Sequence, residues 1–332
     1  MNPRTVTLID VARRVGLSRT TVSEALSGKG RVSDETRERV RAAADELGYV
    51  GNRLARQLRT RSIGAIGYHG PLEARDLEFY MRFAFGVAGE ALTWGVDTVL
   101  MVGEDSLSSG RQLGGVIAVD PGVDDPVVTA LIRAQVPVVA VGRYESSEGL
   151  RAAVTLEARH AELQKDLLER LGRKGCRRFE LWGMSADITS AFVSDAQHVF
   201  EAWTSKGGPS GLSGATRTFA KNPTPESVQR AVREALDRGV DAIVCGVQGL
   251  ATQAEQALAQ VGDSAGRAGI AVASFASDPP LATGPVIDLS PREYGATAAR
   301  LLSDAMAEPP VGAHVWFEGG RLVDPQGWGQ RA

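Results

Sequence analysis

Long apolar runs are missing from this chain of 332 residues. No stretch approaches the roughly 20 residues that a membrane-spanning helix needs. No N-terminal apolar segment resembles a signal peptide, so a cytoplasmic protein without membrane contact is expected. Cysteine is scarce: there are two, Cys176 and Cys245. Each lies beside or within a strand-like stretch and lacks metal-ligand or redox spacing, so both read as buried thiols. The four histidines, His69, His160, His198 and His314, are scattered without ligand spacing; no metal and no cofactor are expected. No loop ends in Gly-Lys-Ser/Thr. Gly64-Ala-Ile-Gly67-Tyr-His-Gly70 fails as a dinucleotide loop, because Ile66 stands where close backbone approach needs glycine. No nucleophile elbow occurs. With no catalytic constellation, the expectation is that the chain is not an enzyme.

What is present is an ordinary globular composition, 43% apolar and 23% charged, in a chain long enough for two or three domains. The net charge of −3 hides an asymmetry. Residues 1–61 hold 13 Lys and Arg against 7 Asp and Glu, which leaves 24 of 37 basic and 33 of 40 acidic residues for the rest. A basic head on an acidic body points to a head that meets a polyanion.

The head has a recognisable pattern. Leu8, Val11, Ala12 and Val15 recur at i, i+3, i+4, i+7, the stripe of a short amphipathic helix. Thr7 is placed to cap it, and Asp10 sits where the helix dipole favours an anion. Gly16 breaks the helix. Ser18 then caps a second one, with Val22, Ala25 and Leu26 inward and Arg19, Thr20, Ser23, Glu24 and Ser27 outward. Two such helices around a glycine turn form a helix-turn-helix, whose second helix can enter the DNA major groove. A third helix starts at Ser33, turns Val40, Ala43, Ala44 and Leu47 inward, and stops at Gly48. Arg53, Arg56, Arg59 and Arg61 follow.

Thr7-Leu-Ile-Asp-Val-Ala, Gly16-Leu-Ser, Thr21-Val-Ser23, Leu26, Val32-Ser, Thr36-Arg, Leu47-Gly-Tyr49, Asn52-Arg and Ala55-Arg-Gln-Leu58 form a long ordered set. In this set the chain resembles the lac-repressor/galactose-repressor family of bacterial transcription regulators. The resemblance implies base-reading contacts from Arg19, Thr20 and Glu24. Arginine suits guanine N7/O6, threonine the thymine methyl, and glutamate cytosine N4. Many members of the family carry arginine at the position of Glu24. Ser18, Thr21, Ser23, Ser27 and Arg31 suit phosphates. Resemblance further implies a minor-groove hinge helix of Asn52, Ala55, Arg56, Leu58 and Arg59, with Leu58 as wedge and small Ala55 permitting close approach. A simple basic linker is the alternative. Paired hinges imply at least a homodimer on double-stranded palindromic operator DNA. No heptad pattern follows Met306.

From Ile63 strands and helices alternate at βαβ spacing. Strands are expected at Ile63–Tyr68, Asp97–Val102, Gly115–Val119, Val136–Val141, Arg178–Gly183, Ala242–Cys245 and Ile270–Phe275. Helices are expected at Phe79–Trp94, Pro126–Ala134, Ala158–Leu171, Ser190–Ser205, Thr224–Arg238, Gly249–Val261 and Pro291–Met306. The fold class is therefore α/β: an all-α helix-turn-helix headpiece plus a two-lobed, doubly wound core that resembles the periplasmic-binding proteins. The domain reading is 1–50 headpiece, 51–61 hinge and 62–332 effector and dimerisation domain. Its N-lobe is set at about 62–150 and 277–290, its C-lobe at about 151–276 and 291–332. The dimer surface is expected on the helices Phe79–Trp94 and Pro291–Met306.

A ligand cleft between lobes is implied. Its candidate residues are Tyr68, Phe79, Tyr80, Asp195, Gln248 and Phe275, with core packing or plain exposure left open for each. The chain departs from the family there. Leu77-Glu-Phe-Tyr80 replaces Asn-Pro-Phe-Phe, Asp195 stands near the family's sugar-gripping arginine, Val247-Gln248 replaces Asn-Asp, and Ser274-Phe-Ala276 replaces Gly-Phe-Asp. The cleft is thus expected to lack the Arg and Asp groups that bind sugar hydroxyls. A typical unmodified sugar is not the expected small-molecule effector, because its hydroxyls would go unpaired.

The hinge reading carries a prediction. Leu58→Ser should weaken specific operator binding while leaving non-specific binding nearly intact, as read in parallel gel-shift titrations on operator and random DNA.

Overall fold

In the computed structural model the described residues are 6, 8–27, 32–47, 64–71, 78–101, 113–184, 191–205, 211–220, 223–262, 269–276, 281, 283–308, 310 and 312–325. The chain divides into two compact units, Met1–Gly64 and Ala65–Ala332.

The first unit is all-helical: α1 Leu8–Val15, α2 Arg19–Ser27 and α3 Asp34–Glu46. Gly16 turns the chain between α1 and α2 at φ +70°, a conformation that costs glycine little. Ser18 caps α2, its Oγ accepting from Thr21 N at 3.1 Å, and Ser33 caps α3 by accepting from Thr36 N at 3.3 Å. Val11, Ala12, Val22, Ala25, Val40 and Ala44 are buried together, with Leu8, Val15, Leu17, Leu26, Val32 and Leu47 packed around them. Arg14 grips Glu46 through both carboxylate oxygens at 2.9 and 3.0 Å, tying α1 to α3. The expected cap at Thr7 lies outside the described residues.

The second unit holds two six-stranded sheets. The strands are β1 Ala65–His69, β2 Asp97–Met101, β3 Val116–Val119, β4 Val138–Val141, β5 Val154–Ala158, β6 Arg178–Met184, β7 Ser213–Phe219, β8 Ala242–Cys245, β9 Ala271–Ser274, β10 Val286–Asp288, β11 Ala313–Phe317 and β12 Arg321–Val323. The helices are α4 Glu78–Thr93, α5 Pro126–Arg133, α6 His160–Arg173, α7 Ala191–Thr204, α8 Pro225–Asp237, α9 Leu250–Gly262 and α10 Pro291–Ala307. The N-lobe sheet runs β11-β5-β4-β3-β1-β2 and is wholly parallel. The C-lobe sheet runs β12-β10-β9-β8-β6-β7, with only β12 antiparallel. Central strands β3, β4 and β8 are buried along their full length, which is why they read as unbroken apolar runs.

This topology corrects the expected lobe boundaries. Val154–Ala158 pairs with β4 and belongs to the N-lobe, whereas Val286–Asp288 pairs with β9 and β12 and belongs to the C-lobe. Helix Pro291–Ala307 packs on α4 and on N-lobe strands, and Ala313–Phe317 closes the N-lobe sheet beside β5. The chain therefore crosses between lobes after β5, after β10 and after β11. The physical reason is register: β5, β10 and β11 each find a parallel partner in the sheet opposite to the one assumed. The segment read as the start of a helix at Ala158 is instead the end of β5, and α6 begins at His160. Strand β7 was missed because its edge position leaves Ser213-Gly-Ala-Thr-Arg mostly exposed, so no apolar alternation marks it.

The two helices expected to form the dimer surface pack on each other. A Cβ added at Gly86 would lie 2.0 Å from the Arg292 carbonyl oxygen, and one at Gly295 would lie 2.1 Å from that of Phe83. Glycine at both sites lets the backbones meet. Tyr294 fills the adjoining space, stacked on Phe317 at 4.2 Å and edge-on to Phe83 at 5.4 Å. Beyond this contact α4 still exposes Met81, Phe85 and Leu92 on its other side, and β2 exposes Leu100. Gly295→Ala should lower stability by about 1–3 kcal/mol through overpacking, seen as a lower urea midpoint with the slope unchanged.

Candidate nucleic-acid interface and inter-lobe cleft

On α2 the buried Val22 and Ala25 fix the helix's inward face. Arg19 and Thr20 are exposed, and Ser23 and Glu24 are half-buried on the side away from that core. Ser18 and Thr21 share a hydroxyl–hydroxyl contact of 2.8 Å. These two hydroxyls hold the helix start together. The α2 backbone includes Ser27, whose side chain is outside the description. Arg31 and the hinge residues Asn52, Ala55, Arg56, Leu58 and Arg59 lie outside the described residues.

In the body, five of the six cleft candidates gather at one place. Tyr68, near the end of β1, is buried and donates its hydroxyl to the Tyr80 carbonyl at 3.3 Å. Tyr80, in the first turn of α4, donates its own hydroxyl to Asp120 Oδ2 at 2.7 Å. Phe79 N donates to Gln248 Oε1 at 2.9 Å, a bond that spans the two lobes. Asp195 on α7 pairs with Arg143 of the opposite lobe. Phe275 is different: it is fully buried, belongs to the apolar core and presents no surface to a ligand.

Four neighbours were not anticipated from sequence: Asp120, Arg143, His160 and Phe192. Asp120 directly follows β3 at φ +46°, and Gly142 after β4 approaches it so closely that a Cβ there would lie 2.9 Å from Asp120 Oδ1. Burial pushes the Asp120 carboxyl up to about 6, against the lowering effect of the Tyr80 hydrogen bond. Burial also raises the Tyr80 and Tyr68 hydroxyls, with the Asp120 charge adding to both. His160 begins α6 with its ring edge-on to Phe192 at 5.2 Å. Burial brings its imidazole down to about 4, against the raising effect of the Asp195 charge. The hydrogen bond to Asp195 raises the Arg143 guanidinium. One signal could have found most of them. Asp120, Arg143, His160 and Gln248 each sit just past the C-terminal end of a parallel strand, where ligands bind in open α/β sheets.

The expectation of a cleft without Arg and Asp groups is therefore wrong: Arg143, Asp120 and Asp195 are all there. Asp120 and Arg143 come from β-strand ends of the N-lobe, which alignment against a family pattern passed over, whereas Asp195 on α7 was among the candidates. Among the described residues no group of three or more His, Cys, Asp or Glu is placed to hold a metal ion, and no helix is long and apolar enough to cross a membrane. Cys176 and Cys245 are both buried.

A helix-turn-helix unit followed by two parallel-sheet lobes hinged by three crossovers defines a regulator-type architecture with a periplasmic-binding-protein-like body. Residues 7–52 match the family model for bacterial regulatory proteins, lacI family. The maltose regulon regulatory protein MalI of Escherichia coli is 34% identical over 202 residues, 56% of each chain. The transcriptional regulator CelR of Thermobifida fusca is 34% identical over 151 residues, 42% of this chain and 44% of CelR. The chain spans about half the length of the curated relatives it matches. A solved Lac repressor bound to ONPG in the repressed state superposes with TM-score 0.72 at 21% identity, over 96% of this chain and 98% of that one. A CelR–cellobiose complex superposes with TM-score 0.58 at 25% identity, over 96% of this chain and 99% of that one. Residues 7–52 thus carry the DNA-binding domain pattern of the lacI family, and the chain shares the fold of the Lac repressor.

Asp120 generates a pH prediction. Its folded pKa is raised above that of the unfolded chain, so the folded state holds this proton more tightly. The stability it contributes is present below about pH 4 and is lost as pH rises through about 6. Asp120→Asn removes that loss, since Asn can still accept from Tyr80. The Tm of Asp120→Asn minus that of the parent should therefore grow between pH 4.5 and pH 7, measured by thermal unfolding across that range.

Proposed function

We propose that the chain is a sequence-specific DNA-binding transcription repressor, with operator affinity set by a small-molecule effector between the lobes. The observation that carries this is the outward face of α2. Arg19, Thr20 and Glu24 stand over a closed three-helix core, inside the segment that matches the family model. Base reading by these three is what the family resemblance implies, and their side chains suit it; the side chains of Ser18, Thr21, Ser23, Ser27 and Arg31 suit phosphates. A carboxylate at Glu24 would repel phosphates, so it faces a base edge or an adjacent cation.

The working unit in this reading is a homodimer on a palindrome. Met81, Phe85, Leu92 and Leu100 supply exposed apolar surface suited to a second copy. The hinge at Asn52–Arg59 joins the headpiece to the body. An effector that changes the angle between lobes would change the separation of two hinges and so the grip on DNA, a coupling between two sites.

One observation favours a second reading, an effector-independent regulator. The lobes already satisfy each other through Arg143–Asp195 and Phe79–Gln248. The two readings part on whether any metabolite alters operator affinity.

An oligonucleotide selection at low ionic strength tests the common part. A palindromic site should emerge, with binding that falls steeply as salt rises. Absence of any enriched sequence would overturn the regulator reading. Glu24→Arg should shift preference at one symmetric base-pair position by about 1–3 kcal/mol; an unchanged site would remove Glu24 from base reading.

A further inference from the structure

Helix α4 takes its N-terminal cap from the other lobe. A helix start leaves its first backbone N–H groups without partners inside the helix. The usual remedy is a Ser, Thr, Asp or Asn just before the first turn. Here α4 starts at Glu78, and the preceding residue is Leu77, whose side chain carries no acceptor. Glu78, the acidic residue of the first turn, is paired with Arg82. The Phe79 N–H, second in the helix, donates instead to Gln248 Oε1 at 2.9 Å, across 169 positions of sequence. Gln248 stands just past β8 in the C-lobe, half-buried.

The origin of the cap has a consequence. A cap supplied from α4's own segment would travel with the helix at every lobe angle. This one exists only at angles that keep Gln248 over the start of α4. The turn it caps also holds Tyr80, whose hydroxyl donates to Asp120 and whose carbonyl accepts from Tyr68. The same helix meets α10 backbone to backbone at Gly86 and exposes Met81, Phe85 and Leu92. The Arg143–Asp195 pair also joins the two lobes, yet neither of its members belongs to α4.

We propose that Gln248 is a positioning residue that couples lobe closure to α4: closed lobes cap and order its first turn, and opened lobes release it. The lobe angle is thereby registered at the start of the helix whose outer side is exposed. The coupling is reciprocal, so whatever steadies the first turn of α4 also favours closure. It operates with or without an effector, because both partners are protein groups.

The test is amide hydrogen exchange at single-residue resolution on the full-length protein, without ligand or DNA. Gln248→Ala should speed exchange at the Phe79 amide about 2- to 30-fold, the equivalent of a lost helix cap. Amides of Val116–Val119, in the buried centre of the N-lobe sheet, should keep the parent rate. Gln248→Glu keeps an acceptor and adds a charge that a helix start favours, so it should hold Phe79 at the parent rate or below. Asp195→Arg sets two guanidinium groups against each other across the cleft. It should speed the Phe79 amide about threefold or more, since like charges facing each other favour opening. In that background Gln248→Ala should add less than it does alone, because both act on one opening. A parent rate at Phe79 in Gln248→Ala would overturn the proposal. So would an effect of Gln248→Ala with none from Asp195→Arg, which marks a local cap unlinked to the lobes, or an equal rise in Val116–Val119, which marks general destabilisation. The regulator reading fails on different evidence, since it falls if the protein enriches no DNA sequence, whatever the exchange rates show.

Discussion

A parallel sheet sends every strand's C-terminal end to the same edge, and the rest of this body depends on that constraint. Each strand of the N-lobe must return by a crossover, so the loops carrying Asp120, Arg143 and His160 emerge together although they are far apart in sequence. The C-lobe obeys the same rule and contributes Gln248 after β8. Three crossovers between lobes then hold the two edges face to face while leaving the angle between them as the soft coordinate. The place where ligands bind in open α/β sheets is set by this connectivity before any particular side chain is chosen.

The side chains at that edge are arranged for electrostatic tension. Arg143 and Asp195 reach across from different lobes. Both are partly exposed, and such pairs are typically worth about 0–1 kcal/mol. A contact of that size can bias lobe closure without fixing it, which suits the proposed response of the lobe angle to an effector. Asp120 is the opposite case. It is shielded, touches one neutral donor and stays close to its titration point near neutral pH. Its charge is tolerated because the Tyr80 hydroxyl supports it, and Tyr80 is in turn fixed by its place in the first turn of α4.

Helix α4 links the cleft to the outer surface of the N-lobe. Its first turn supplies Phe79 and Tyr80, its middle meets α10 through Gly86, and its other side carries Met81, Phe85 and Leu92. A tilt of this helix on ligand binding would be transmitted as a rigid movement, because its backbone meets that of α10 directly at Gly86 and Gly295. In the proposed dimer, that movement reaches the partner copy directly.

Some of this was legible in the residues alone. The headpiece was, because its helices are local: Val11, Val22 and Val40 lie at fixed spacing, and Gly16 and Ser18 mark the turn and the cap. The fully buried strands Val116–Val119, Val138–Val141 and Ala242–Cys245 were, because burial on both faces writes a continuous apolar run. Of the candidate site, Tyr68, Phe79, Tyr80, Asp195 and Gln248 were named beforehand, but Asp120, Arg143 and His160 were not. Local periodicity determined which segments are helix and strand, and hence the fold class. Only tertiary structure decided which sheet β5, β10 and β11 join, and which charges face one another across the cleft. The reason is that the pairing of β11 with β5 and the cross-lobe contacts link residues some 50–170 positions apart, and no pattern within a strand records which partner it takes.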